Sequence, residues 1–318
     1  MFGLFHRLLF FLDPETAHHL VIQLLKKFPI RKKVFSPLVK IHHCNAIKFE
    51  NRLGLAAGFD KNAEVFPALS TFGFGFIEVG TVTPIAQEGN SKPRIWRTEN
   101  ETLINKMGFN NCGLDQFKLN IMEGRKKTTI PLFSNIGKNK MTQNDQALLD
   151  YQKGFDSLKS IVDGFVVNIS SPNTPGLREL QTIEFLDSLC QVAPKDKPVF
   201  VKFSADLSQS DLKNLLSYIR KSTFAGVVLV NTSSELAMKV AGKHEGGLSG
   251  KILFDRALEK VSLAKEILKD EKTIVGVGGV SSPSDFIKMR KAGADLIEIY
   301  TAFIYQGVDL VRSLSKLD

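Results

Sequence analysis

Phe165-Val166-Val167-Asn168-Ile169-Ser170-Ser171-Pro172-Asn173-Thr174-Pro175-Gly176 joins two different kinds of chain. Its first five residues are almost wholly apolar and lack the alternation of a half-exposed strand, which suits a strand buried on both faces of a parallel sheet. Its remainder is a loop held by prolines and a glycine. Seven further runs of the first kind punctuate the sequence: Leu53–Ala57, Phe76–Val79, Leu132–Ile136, Val199–Phe203, Val227–Val230, Ile274–Val277 and Leu296–Ile299. Longer segments with helical spacing separate them. Eight such units across residues 45–318 predict an α/β fold of the (β/α)8 TIM-barrel type. A doubly wound open sheet is the competing architecture. The long gap between the second and third runs, residues 80–131, must hold an insertion.

The polar residues fall at the C-terminal ends of these runs. Gly58 and Lys61 follow the first, Gly80 and Thr81 the second; Asn135 closes the third, and Asn168, Ser170 and Ser171 the fourth. Lys202 lies in the fifth, Asn231 and Thr232 follow the sixth, Gly278 and Gly279 the seventh, and Tyr300 and Thr301 the eighth. In a barrel those ends converge on one rim, where active sites form. Amides, hydroxyls, glycines and lysines there suit a planar, hydrogen-bonding, anionic ligand. Gly276–Gly279 leads into Ser281-Ser282-Pro283, with Ser282 the expected cap and Pro283 the first helical residue. Bare glycine N–H groups beside a helix start suit a phosphate, and barrels place that site after strands seven and eight. Gly246–Gly250 is a second glycine cluster that could join it.

Several chemistries are disfavoured. The loop Asn168–Gly176 holds no acid and no histidine, so a serine–histidine–acid hydrolase lacks its base. His42-His43-Cys44 has no second ligand cluster, and His6, His18, His19 and His244 have no sequence partners; no metal site is expected. Three widely spaced cysteines make no disulfide framework, which suits a reducing compartment. Composition is globular, with 43% hydrophobic and 24% charged residues. Forty-two Lys and Arg against 33 Asp and Glu give a net charge of +9, which favours an anionic partner.

Residues 1–44 differ from the rest, with seven Lys and Arg against two Asp and Glu. The apolar stretch Phe2–Leu12 is too short to cross a bilayer, and Asp13-Pro14 follows it where a signal peptide would need a cleavage site. Asp13 reads as a helix cap. Ala17, Leu20, Val21, Leu24, Leu25 and Phe28 then form an apolar stripe ending in Lys26 and Lys27, with Arg31, Lys32 and Lys33 just beyond. The segment is either a helical hairpin packed on the main domain or a peripheral membrane anchor with an apolar pocket between its helices.

At this point the motifs are familiar. Leu53–Lys61, Glu78–Pro84, Asn105–Asn111, Asn135–Asn139, Asn168–Gly176, Gly246–Gly250 and Gly276–Gly279 together resemble the class 2, quinone-linked dihydroorotate dehydrogenases over nearly the full length. The resemblance implies an FMN-containing barrel (45–318) with a small N-terminal helical domain (1–44), oxidising dihydroorotate to orotate in pyrimidine biosynthesis. It places the FMN phosphate at Gly250, Gly279, Tyr300 and Thr301. Ala57, Gly58, Lys61, Thr81, Asn135, Asn168, Lys202 and the backbone of Val230 would surround the flavin. Lys61, Asn105, Met107, Gly108, Phe109, Asn168, Asn173, Asn231 and Thr232 would hold the substrate. Ser171 would take the C5 proton, with Thr174 and Phe109 at the relay positions, while hydride leaves C6. Class 1 enzymes carry cysteine where Ser171 stands.

The resemblance further implies a membrane quinone as electron acceptor, reached through the N-terminal helices. Peripheral attachment to an anionic surface is expected, on the cytoplasmic side of a bacterial inner membrane, by a monomer that binds no nucleic acid. The chain departs from the family's usual pattern at Lys106, where arginine is common, at Val230, where threonine is common, and at Ser204-Ala205, where Ala-Pro is common. Two rivals remain to be tested. An FMN barrel acting on tRNA uridines predicts a catalytic cysteine on a rim loop, which Asn168–Gly176 lacks. A non-catalytic phosphate-binding barrel held at membranes predicts a colourless protein.

Overall fold

A computed structural model of the 318-residue chain describes residues 8–27, 39–40, 47–241 and 245–317. Eight parallel strands close into a barrel: β1 Leu53–Leu55, β2 Phe76–Val82, β3 Leu132–Ile136, β4 Gly164–Asn168, β5 Val199–Phe203, β6 Gly226–Leu229, β7 Thr273–Val277 and β8 Leu296–Ile299. Each coincides with one of the apolar runs. The pair Ile297↔Leu53 joins β8 back to β1, so the open-sheet alternative is overturned. The gap between the second and third runs holds the hairpin Ile95–Thr98 and Thr102–Asn105, and Gly247–Gly250 adds to it as a third antiparallel strand. This small sheet lies on the rim, and it brings both glycine clusters to the same end of the barrel.

Inward-facing residues recur every second position along a strand. At the N-terminal end they are aromatic or aliphatic: Phe76, Phe133, Val166, Phe200 and Leu296 pack with Phe49 into one interior cluster. The rings of Phe76 and Phe133 meet edge-on with centroids 5.9 Å apart, and Phe133 meets Phe200 at 5.7 Å. Gly54 faces them, because a Cβ there would lie 2.2 Å from the Phe76 ring. Two residues further along the same strands the interior turns polar: Glu78, Asn135, Asn168, Lys202 and Glu298 are all buried. That switch converts a packed core into the floor of a site.

The N-terminal helix Pro14–Lys27 docks on the barrel. Asp13 caps it, its Oδ1 accepting from the backbone N–H of Glu15 and Thr16 at 3.0 Å each. Ala17 and Ile22 are buried, and Ile22 belongs to the main core. Leu20, expected in the packed stripe, is exposed, because the buried face runs through Ile22 instead. Glu15 pairs with Arg94 at 2.7 Å and Lys26 with Glu64 at 2.5 Å. Arg97 donates to the carbonyls of Phe10 (3.1 Å) and Leu12 (2.7 Å), satisfying acceptors at the end of the preceding helical turn. Leu8, Phe11, Leu12 and Leu20 remain exposed, Phe11 at 87%. No helix among the described residues is long and apolar enough to cross a membrane. Residues 1–7, His42-His43-Cys44 and the 44/45 boundary lie outside the described residues.

Candidate active site

Lys61 sits on the turn after β1. The Asp60 carboxylate fixes that turn by accepting from the N–H of Glu64 (2.7 Å) and Val65 (2.8 Å). Burial pushes Asp60 up to about 6. The Lys61 ammonium donates to the Gly58 carbonyl at 2.7 Å. Burial, reinforced by the charge of Arg94, pushes Lys61 down to about 8. A half-buried lysine paired with a carbonyl is poised for an anion that arrives from outside.

Three amides and two hydroxyls knit the floor together. The register shifts between Gly80 and Val82, and this irregularity turns Thr81 toward the cavity. Asn168 Nδ2 donates to Thr81 Oγ1 (3.1 Å) and Asn135 Oδ1 (3.2 Å). Asn231 Nδ2 donates to Asn168 Oδ1 (3.3 Å) and Ser170 Oγ (3.0 Å). Asn168 and Asn231 are held by their neighbours and line the cavity, so their remaining donors and acceptors are presented in fixed positions, with Asn135 bracing them from behind.

The loop after β4 forms the opposite wall. Ser171 Oγ accepts from the Asn173 N–H at 3.3 Å. Asn173 Nδ2 donates to the Asn105 carbonyl (3.1 Å) and Oδ1 (3.2 Å), tying the loop to the hairpin. Asn90 Nδ2 donates to the carbonyls of Lys106 (3.0 Å) and Asn173 (3.2 Å). Gln87 holds the carbonyls of Gly108 and Phe109, both at 3.1 Å, and Phe109 adopts a left-handed backbone with φ 53°. Behind the loop, Arg178 donates to the Ser170 carbonyl (3.1 Å) and the Thr232 carbonyl (3.2 Å) while pairing with Asp206 at 3.0 Å. Burial opposes ionisation of Asp206, but hydrogen bonds from Ser233 and Ser234 and the Arg178 charge outweigh it and hold the carboxyl low. Thr174 is buried with no partner for its hydroxyl.

The far corner is built from backbone. Gly250 (φ 114°) and Gly279 (φ 75°) occupy conformations that favour glycine. A Cβ would lie 2.5 Å from the Glu101 carbonyl oxygen at Gly250, and 2.6 Å from the Phe254 nitrogen at Gly279. Ser282 caps the helix Pro283–Lys291, accepting from the Asp285 N–H at 3.2 Å, as the Ser-Pro spacing predicted. Thr301 donates to Ser249 at 2.8 Å, and Tyr300 to the Gly58 carbonyl at 3.4 Å. Bare backbone, the start of the helix Pro283–Lys291 and the cation Lys251 converge on this corner, which fits a phosphate; the planar-amide floor beside it fits a ring.

One cavity gathers nearly all of the residues singled out from sequence. Ala57, Gly58, Lys61, Thr81, Asn105, Met107, Gly108, Phe109, Asn168, Ser171, Asn173, Lys202, Val230, Asn231, Thr232, Gly250, Gly279, Tyr300 and Thr301 all line it. Asn135 and Thr174 stand one layer behind. Of the departures from family pattern, Lys106 lies over the Trp96 ring at 5.6 Å, and the Val230 N–H donates to the Val277 carbonyl at 2.6 Å. Glu78, Glu298, Ser249, Lys251, Asn90, Arg178 and Asp206 were not singled out. For the two glutamates a signal existed: each is an acid inside an otherwise apolar strand. His18, read as without partners, lies edge-on to Phe59 at 5.1 Å; burial and the Lys61 charge push it down to about 3.

Known proteins resemble this chain over nearly its whole length. The family described as "Dihydroorotate dehydrogenase" matches residues 40–317. The "Dihydroorotate dehydrogenase (quinone)" of Christiangramia forsetii is 40% identical over 327 residues, covering 97% of this chain and 95% of its own. That of Idiomarina loihiensis is 40% identical over 336 residues, 99% of each. Among solved structures, DHODH of Eimeria tenella in complex with ferulenol superposes with a TM-score of 0.88 at 32% identity, over 95% of this chain and 90% of that one.

Proposed function

The chain belongs to the dihydroorotate dehydrogenase family, in its quinone-dependent class, and from that premise we propose how its own residues carry the reaction. The activity is oxidation of dihydroorotate in pyrimidine biosynthesis, and the family is one of flavoenzymes. We take the flavin to be FMN, its phosphate in the corner of Gly250, Gly279, Tyr300 and Thr301 and its ring over Ala57, Gly58, Thr81, Asn135, Asn168, Lys202 and Val230. FMN, when bound, supplies the hydride acceptor and passes the electrons on to quinone.

The substrate's charge and ring amides are met by Lys61 and by Asn105, Asn168, Asn173 and Asn231, with Met107, Gly108, Phe109 and Thr232 completing the pocket. Asparagines supply donors and acceptors without net charge. Ser171 removes the C5 proton as hydride leaves C6. A serine is a weak base alone, so its proton must be relayed. The buried, unpartnered Thr174 hydroxyl supports a water-mediated relay past Phe109. Lys202 and Lys61 stabilise the negative charge that develops.

Electrons leave toward the N-terminal segment. Its exposed Leu8, Phe11, Leu12 and Leu20, flanked by Lys26 and Lys27, support peripheral attachment at the cytoplasmic face of an inner membrane, with quinone entering between this segment and the barrel. A single chain is the working unit, since one copy supplies every residue assigned here.

One observation carries the reading: Lys61, Ser171 and Lys202, from three different strand ends, line a single cavity with the asparagines. The test is anaerobic addition of dihydroorotate to the purified protein. A yellow protein whose flavin absorbance bleaches is expected. A colourless protein favours the phosphate-binding rival, and a yellow one that does not bleach removes the assigned substrate.

A further inference from the structure

Three charged side chains meet inside the barrel although β2, β5 and β8 are distant in sequence: Glu78, Lys202 and Glu298, with side-chain exposures of 0%, 6% and 2%. Lys202 Nζ lies 3.3 Å from Glu78 Oε2 and 3.5 Å from Oε1, but 3.9 Å from Glu298 Oε2. Glu78 also accepts a hydrogen bond from the Asn135 amide. Glu298 Oε2, by contrast, is buried and accepts no hydrogen bond. Two carboxylates and one ammonium cannot all be charged there at low cost. A buried carboxylate without donors is expensive, and like charges sharing a site raise one another's pKa.

We propose that Glu298 is held as a neutral carboxylic acid, so that the cavity floor carries one carboxylate, Glu78, for its one ammonium, Lys202. The donors settle which acid keeps the proton: Glu78 has Lys202 and Asn135, and Glu298 has neither at hydrogen-bonding distance. Burial first, and then the neighbouring Glu78 charge, push Glu298 well above the carboxylate range, with Lys202 opposing. The functional consequence rests on the flavin reading above. An ionised Glu298 would place an uncompensated negative charge in the floor, opposing the negative charge that arrives with the electrons and cancelling the pull of Lys202. Glu298 is thus a positioning residue: it sets the charge balance through which Lys202 acts.

The experiment is infrared difference spectroscopy of the holoenzyme against Glu298→Gln, with the flavin midpoint potential of both. The wild type is expected to show a protonated-acid C=O band that shifts in D₂O and is absent from the variant. The potential is expected to be unchanged, since a neutral amide replaces a neutral acid of the same shape. Loss of carboxylate bands instead, or a raised potential from deletion of a negative charge, overturns the proposal. Should the variant not fold, the wild type alone decides. The acid band must persist from about pH 6 to about pH 9, and its absence is contradictory. A colourless protein would sink the flavin reading while leaving the infrared result to judge Glu298.

Discussion

Lys61 donates to a carbonyl, and among the described residues no ion pair engages it. Its amine is pushed down to about 8 from 10.5, so folding alone disfavours the charged form and an anionic ligand restores it. The sign follows. Orotate binding should be strong below about pH 8 and weaken above it, by up to about tenfold per pH unit. Ligand-free protein gains stability as pH rises from about 8 to 10.5, where the unfolded chain holds the proton that the folded one has lost. Titrating orotate affinity against pH checks the first, and Lys61→Met should flatten that profile while weakening binding throughout. Ser171→Ala should keep orotate affinity and flavin yet slow flavin reduction by dihydroorotate about 10²- to 10⁴-fold in stopped flow. Unaltered reduction would remove Ser171 as base. Residues of this kind were legible in the sequence because polar side chains at strand ends stand out. Glu78 and Glu298 show in the sequence as acids inside apolar runs, but their meeting with Lys202 does not, since only barrel closure brings the three together.

The loop after β4 owes its shape to elements it does not touch in sequence. Arg178 ties the Ser170 carbonyl to the turn carrying Thr232, and Asp206 holds Arg178 in place. Arg178→Met removes both carbonyl contacts and leaves Asp206 with Arg256, Ser233 and Ser234. Displacement of Ser171 by about an ångström is enough to lower kcat/KM for dihydroorotate about 10²-fold. Unfolding stability should drop by about 1–3 kcal/mol with flavin content intact. Steady-state kinetics with chemical denaturation measures both, and unaltered kcat/KM would mean that the loop holds itself. The eight strands were readable because continuous apolar runs have no other economical fate in a chain of this length. The brace was not, because nothing local links Arg178 to Asp206, nor Asn90 to Asn173. The first pair exists only after β4 and β5 are adjacent, and the second only after the segment following β2 folds over the loop after β4.

Across the whole molecule the N-terminal helix packs on the barrel. The segment is not a detachable tail: Ile22 lies in the main core, and Glu15 pairs with Arg94. Wholesale deletion would therefore strip packing along with any membrane contact. Leu8→Glu with Phe11→Glu is cleaner, since both side chains are exposed. It should reduce sedimentation with anionic vesicles about tenfold or more, by adding two charges where each basic residue contributes about 1 kcal/mol. Flavin reduction by dihydroorotate should stay within about twofold of wild type, as surface substitutions away from the site cost little. Undiminished vesicle binding would move the contact elsewhere. If the strand ends gather one site, Lys61, Ser171 and the asparagines surround a single substrate. A crystal structure with orotate tests it most directly. Orotate's negative charge is expected within ion-pair distance of Lys61 Nζ, its ring bonded by the Asn105, Asn168, Asn173 and Asn231 amides, and C5 facing Ser171 Oγ. Orotate bound elsewhere, or with C5 turned away from Ser171, would contradict it.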